Sequence, residues 1–319
     1  MGSRAIEKIG MTMKFSDKVI YCLNSAAVGD LIAAAPAVKW AIETMHQTTD
    51  YRVALLPEFR DLFSFVPDDK IIPVQEKYDG SFAVRKLNMD GGGGNVCRLT
   101  PSRFKLTHYA SIGLLGRILP DVDLKYVPLP EVDVSHFNID FSKAVVFITT
   151  YRDITRSWKG EEIIKTAEYV HSKGFIPVFI GKTGAISIWK TLAVSDFEYP
   201  GFGVDLMNKT SFLEMATVMK KSRAVFGMDS GPIHVAFTTD TPVVCGFTNV
   251  SPDLRVPLRN PGVETISVTP SLPCKFCQSD WQLDFWAFTK CPRGQAEPDC
   301  TKQMKSEVFI RAFDKLNLK

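Results

Sequence analysis

The stretch V225-FGMDSGPIHVAFTTDTPVVCG-F247 decides how this chain is read. Its two ends, "VFGM" and "PVVCGF", have the length and β-branched content of short buried strands. Between them, residues 229 to 234 hold Asp, Ser, Gly, Pro and His in six positions. The spacing predicts a strand ending at Asp229 and a helix starting near Pro232, with Ser230 or Gly231 at its N-cap. Proline is favoured in the first helical turn because its missing N–H would be unpaired there anyway. The first-turn amides and the positive end of the helix dipole would then face an anion, and phosphate suits such a site. Gly231 lets the backbone approach a ligand closely, and His234 falls where its ring reaches a phosphate or sugar oxygen. Taken alone, the same residues describe a capped helix with a core histidine equally well.

Working outward, "NKTSFLEMATVMKK" supplies Ser211 with Glu214 three residues on, a capping box that opens the preceding helix. Upstream, "KVIYCLN" (18–24), "SAAVGD" and "LIAAAPAVKWAIETM" read as strand, tight loop and helix. "YRVALLP" follows as a strand and "DLFSFVP" as a short helix. The grammar restarts near residue 141: "AVVFITT" is a strand, "YRDITRSWKG" a polar loop, "EEIIKTAEYVHSKG" a helix with a glycine stop, and "FIPVFIG" a strand. Repeated strand–helix alternation implies parallel sheets covered by helices, and two restarts imply two doubly wound α/β domains. The join falls in "VPLPEVDVSHFNI", residues 127 to 139, where prolines break the periodicity. "DGGGGNVCR" (90–98) is either a long surface connection or a mobile loop over a substrate cleft.

With 319 residues, 45% hydrophobic and 23% charged, the chain has the composition of an ordinary globular protein of about two domains. A net charge of +3 permits an anionic ligand without announcing a nucleic-acid surface. The most apolar early run is broken by Pro36 and Lys39, short of the ~20 residues a membrane span needs. The N-terminus lacks a signal-peptide core, residues 1 to 12 read as a tag remnant or frayed leader, and the expected location is the cytoplasm. Cys22, Cys97 and Cys245 lie in apolar or loop contexts, as reduced thiols do.

The block from 205 to 257 resembles the donor-binding half of the heptosyltransferase-like glycosyltransferases, glycosyltransferase family nine. Their pattern, a "DLTGKTSLxELAxxIxxA" helix followed by "GxDSGPMHxAxAxxxPxVxLFGxTxP", is followed almost position by position by "DLMNKTSFLEMATVMKKSRAVFGMDSGPIHVAFTTDTPVVCGFTNVSP". "NSAAVGDLIAAAPAVKWAI" resembles the family's N-terminal "SxxGDxxxxxPALxxL". "RDITRSWKGEEIIKTAEYVHSKGFIPVFIG" resembles its "KRWPxExFxxLAxxLxxxGxxVVLxG", and residues 273–309 its cysteine-rich C-terminal segment. Residues 75 to 125 match least.

The resemblance implies a GT-B architecture, two Rossmann-like doubly wound domains facing each other across a cleft. The expected boundaries are 13–135 for an acceptor-binding domain, 136–300 for a nucleotide-sugar donor-binding domain and 301–319 for a C-terminal helix crossing back to the first. A partner-binding helix is the alternative for that tail. The implied reaction is inverting, metal-independent transfer of a sugar from a nucleotide-diphosphate donor, ADP-heptose-like, to an acceptor hydroxyl, a lipopolysaccharide-type glycan among the acceptors. No cofactor is expected beyond the donor itself. Such transfer needs a base, groups that hold the leaving diphosphate, and exclusion of water.

Asp30 stands at the family's "GD" position and is the expected base; its alternative use is a helix N-cap. Gly29 beside it and His108 are expected on the acceptor-side loops. Asp229, Ser230, Gly231 and His234 are expected around the donor diphosphate and sugar. Arg156 in "TRSWKG" best matches the family's lysine and Lys159 is its rival as counter-charge; sequence leaves both open. Cys274, Cys277, Cys291 and Cys300, with two, thirteen and eight residues between them, read as a structural knot, with zinc or a disulfide as alternatives. Two further functions stay open. One is a phage-type enzyme glycosylating a hydroxylated DNA base in a host cytoplasm, with Arg85, Lys86, Arg98, Arg103, Lys105 and His108 along the phosphates. The other is a non-catalytic sugar-nucleotide binding module.

Overall fold

A computed structural model describes residues 18–25, 27–45, 50–87, 105–151, 153–185, 192–277 and 291–318. The glycine-rich loop 90–98, with Arg98, and Arg103 lie outside the described residues, as does the 1–12 leader. The chain divides into two compact units, residues 1–127 with 256–258, and 128–255 with 259–319.

In the first unit, β1 (Lys18–Cys22) leads into α1 (Val28–Met45), β2 (Asp50–Leu55), β3 (Ile71–Pro73) and β4 (Ala83–Lys86). Helix α2 (Leu106–Leu115) follows and packs on α1. The strands form a parallel sheet in the order β3-β2-β1-β4. Strand β1 is central, and Val19 to Cys22 are buried, as a strand covered on both faces requires. The helix expected in "DLFSFVP" is a 3-10 segment, Pro57–Phe63, with Pro57 at its start and Phe59, Leu62 and Phe63 turned inward.

The second unit runs β5 (Ala144–Ile148), α3 (Gly160–Ser172), β6 (Ile176–Gly181), a small antiparallel pair β7 (Gly184–Ala185) and β8 (Leu192–Ala193), and β9 (Val204–Met207). It continues through α4 (Phe212–Lys221), β10 (Ala224–Met228), α5 (Gly231–Ala236), β11 (Val243–Gly246), α6 (Pro252–Arg255) and β12 (Thr265–Val268). Helices α7 (Asp299–Lys302) and α8 (Ser306–Phe313) end it. Six strands make a parallel sheet in the order β12-β11-β10-β5-β6-β9. The capping box at α4 forms as its spacing predicts: Ser211 N–H donates to Glu214 Oε2 at 2.7 Å and Glu214 N–H to Ser211 Oγ at 3.2 Å.

The core of this unit is aromatic. Phe147 and Phe226 stack at 5.2 Å on neighbouring strands, and Trp158 stacks on Phe309 of α8 at 4.0 Å. Helix α8 places Phe309, Ala312 and Phe313 on one face, the helical spacing of an apolar stripe, and packs it on α3, β11 and β12. All of these described contacts of α8 stay within the C-terminal unit.

Both sheets reverse direction once. The chain leaves β1 toward β2 and β3, then returns to add β4 on the other side. It leaves β5 toward β6 and β9, then returns to add β10, β11 and β12. Each reversal is a switch point, where connections diverge and open a crevice at the strands' carboxyl ends.

Candidate functional site

At the switch point of the larger sheet, the loops after β5, β10 and β11 bring together the side chains of Asp153, Arg156, Asp229, His234 and Arg255. Strand β10 carries Asp229 to the carboxyl edge, where its N–H donates to Gly246 O at 3.0 Å. A Cβ on Gly246 would stand 2.3 Å from Met228 Sδ, so a larger residue there would make the methionine side chain move. The loop after β5 makes a 3-10 turn, Ile154–Arg156, which aims Arg156 at Asp229. After β11, Asn249 Nδ2 donates to Thr155 Oγ1 at 3.0 Å and ties the two loops together. Ser251 Oγ accepts from Asp253 N at 3.2 Å and starts α6, which ends in Arg255.

The geometry is that of a buried carboxylate among cations. Asp229 is only 2% exposed. Its Oδ2 lies 3.4 Å from Arg255 Nε and 3.6 Å from Arg156 Nη1, and its Oδ1 lies 3.6 Å from His234 Nε2. These are ion-pair separations, longer than ordinary hydrogen bonds. Burial by itself would raise the Asp229 carboxyl; Arg255, His234 and Arg156 outweigh it and hold the group well below the usual carboxylate range. Asp229 is therefore an anion at neutral pH and is no proton acceptor. Arg156 also donates from Nη2 to the buried Asp153.

Ser230 is the N-cap residue of α5, which starts at Gly231, one residue before the expected Pro232, with the proline in its first turn. Its hydroxyl makes no cap bond and is shut off from solvent without a hydrogen bond. Helix α5 is only six residues long, so its dipole is small and the charge at this site comes from side chains. His234 is 2% exposed and faces Asp229 and the Phe237 ring. Lys159 does not join this cluster; its ammonium lies 3.7 Å from Glu297, in an exposed pair.

In the smaller sheet, Asp30 follows the central strand β1, at the switch point beside β4. It lies inside the first turn of α1, with Gly29 buried before it, and Ser25 Oγ donates to its Oδ2 at 3.3 Å. Ser25 Oγ also accepts from Ala27 N, so one serine ties the loop to the helix. His108 is not on a loop. It stands in the first turn of α2, where Nδ1 accepts from Lys105 N at 3.0 Å and Nε2 lies 3.1 Å from Asp121. Burial pulls its pKa down, so the ring is neutral with its proton on Nε2, and it offers no charge to a nucleic-acid phosphate.

Among the described residues the four clustered cysteines are not joined in disulfides. Burial pushes Cys300 up to about 11, and the nearby Cys277 adds to the shift. Among the described residues no group of three or more His, Cys, Asp or Glu side chains is placed to hold a metal ion. No described helix is long and apolar enough to cross a membrane.

Residues 130–281, spanning β5 to β12, match the sequence model of glycosyltransferase family 9 (heptosyltransferase). They are a glycosyltransferase family 9 domain. The site just described lies wholly within it. The chain is similar in fold to several solved glycosyltransferases. The iron-containing dodecameric heptosyltransferase TibC of enterotoxigenic E. coli H10407, in complex with ADP-D-β-D-heptose, aligns over 96% of this chain and 79% of its own, with TM-score 0.71 and 18% identity. E. coli ADP-heptose LPS heptosyltransferase II aligns over 93% and 97%, with TM-score 0.60 and 12% identity. The family 9 glycosyltransferase of Veillonella parvula DSM 2008 aligns over 80% and 87%, with TM-score 0.57 and 14% identity. No curated protein matches the chain in sequence. The two parallel-sheet units thus have the GT-B fold, and the match to family 9 glycosyltransferases covers residues 130–281.

Sequence reasoning missed Arg255 and Asp153. Arg255 stands in "SPDLRVP" after β11, far along the chain from Asp229, and no spacing rule links the two. Asp153 lies three residues before Arg156, a separation that reads as a pair only once the 3-10 turn is known.

Proposed function

We propose that the chain transfers a sugar, with inversion, from an ADP-heptose-like nucleotide-diphosphate donor to an acceptor hydroxyl. A lipopolysaccharide-type glycan is the acceptor class. The observation that carries this reading is the meeting of Arg156, Asp229, Ser230 and His234 at the switch point of the family 9 domain. TibC, solved with ADP-D-β-D-heptose, supports the donor class. Asp30 takes the proton of the acceptor hydroxyl. That oxygen bonds to the anomeric carbon as the bond to the diphosphate breaks, and the charge leaving on the nucleoside diphosphate is met by a guanidinium group and Ser230. General-base assistance of this kind contributes about 10²–10⁴-fold in rate. TibC is iron-containing; in this chain the reacting centre is proposed to work without metal.

Thermal shift with ADP, UDP, GDP and CMP tests the donor site. A nucleotide at ~100 times its Kd stabilises by roughly 2.7 kcal/mol. Selective stabilisation by ADP is expected, followed by ADP release when ADP-heptose and a glycan acceptor are added, unchanged by EDTA. A protein that binds none of the four, or releases no nucleotide with any acceptor, is not a transferase of this kind.

A further inference from the structure

Two guanidinium groups face one buried carboxylate, and they are not equivalent. Arg156 is committed to the protein. Its Nη2 bonds to Asp153, and its Nη1 lies 3.4 Å from Asp229 O and 3.6 Å from Asp229 Oδ2. Both carboxylates are almost fully buried, so the charge of Arg156 is matched internally. Arg255 touches Asp229 only edge-on, through Nε at 3.4 Å. Its guanidinium makes no hydrogen bond to any described residue, and of its nitrogens Nε alone is shut off from solvent without a partner. Toward the described residues its terminal nitrogens keep their donors unspent. A planar fork of this kind matches two phosphate oxygens at once, which an ammonium cannot do. The sealed Ser230 hydroxyl, also without a partner, belongs to the residue next to Asp229.

Resting on the donor reading above, we infer that Arg255 is the residue that binds the donor's diphosphate, and that Asp229 is the positioning residue that holds it there. Arg156, with Asp153, fixes the back of Asp229. The carboxylate then works from behind: it fixes Nε and leaves the terminal pair directed outward. This assigns the counter-charge to a residue outside the "TRSWKG" loop. It also gives the buried Asp229 a task other than accepting a proton.

The test is isothermal titration of the full chain with ADP and with adenosine, on the wild type, Arg255→Met and Arg255→Lys. Adenosine reports damage to the site at large, since it carries no phosphate. Arg255→Met is expected to weaken ADP at least tenfold while adenosine stays within twofold. Arg255→Lys keeps a cation beside Asp229 and so protects the fold; without the fork it is expected to weaken ADP by threefold or more. ADP affinity unchanged in both variants, or equal losses for ADP and adenosine, overturns the assignment. A wild type that binds neither ADP nor adenosine removes the donor reading itself, whereas tight ADP binding insensitive to Arg255 leaves that reading standing and removes only this inference.

Discussion

Lys159 and Arg156 stand three residues apart in one loop and meet different surroundings. Arg156 is half-buried between two buried carboxylates, while Lys159 reaches outward to Glu297 with 41% of its side chain exposed. An exposed pair of this kind is worth little, about 0–1 kcal/mol, whereas removing one partner of a buried one leaves an uncompensated charge and costs about 3–5 kcal/mol. Lys159→Ala is therefore expected to keep the wild-type Tm within a degree or two and to leave ADP affinity unchanged. Arg156→Gln is expected to unfold at markedly lower denaturant. Equal behaviour of the two in a urea titration would contradict this assignment. At this scale the sequence was half legible. The "DSG" turn and its histidine could be placed at a carboxyl edge by pattern alone. Burial of a side chain and the partners it meets from a distant loop have no local signature, which is why Arg255 was invisible and Lys159 stood level with Arg156.

Helix α8 owes its position to a carboxylate on another helix. Glu162, in the first turn of α3, is 3% exposed; it accepts from Ser306 N at 2.7 Å and from Lys305 Nζ at 3.1 Å, capping α8 from outside. Lys165 adds a third contact at 3.2 Å. Burial alone would raise the Glu162 carboxyl; the Ser306 amide and the two lysines bring it down to about 2. A depressed folded pKa contributes stability that is complete above the unfolded value near 4.5 and is lost as pH falls toward 2. Glu162→Gln is expected to cost about 1.5–3 kcal/mol at pH 7, the worth of hydrogen bonds to a charged group. The gap from wild type should shrink steadily when chemical denaturation is repeated from pH 5 to pH 3; a constant gap would show that the charge is not what matters. At the start of the same helix, Gly160 packs against backbone: a Cβ there would stand 2.5 Å from Asp196 O and 2.7 Å from Phe197 Cα. Backbone cannot step aside as a side-chain tip can, so Gly160→Ala is expected to destabilise by about 1–3 kcal/mol despite alanine's better helix propensity. The capping box of α4 was legible because both its partners sit within three residues; the cap of α8 was not, because its partner lies far upstream in the chain.

Across the whole chain, the strand–helix grammar was enough to read two parallel sheets, since a parallel strand pair demands a crossover and the crossovers are visible as helical periodicity. Strand order was not readable, because every β-branched run looks alike until its neighbours are known. The unit to which α8 attaches was equally silent: an apolar stripe says that a helix is buried, not against what. Order matters here because it creates the two switch points. Asp30 lies at the one in the smaller sheet, and the Asp229 cluster lies at the one in the larger. The proposed base and the proposed donor site thus belong to separate compact units, and their defects should separate in kinetics. A base acts on the acceptor proton in the transition state and holds no part of the nucleotide. Asp30→Asn keeps the shape of the side chain and its link to Ser25 while removing the charge. It is expected to lower kcat by about 10²–10⁴-fold, the contribution of general-base assistance, with Kd for ADP within twofold of wild type. Loss of ADP binding in that variant would place Asp30 among the donor ligands, and undiminished kcat would return it to the role of a helix-turn residue.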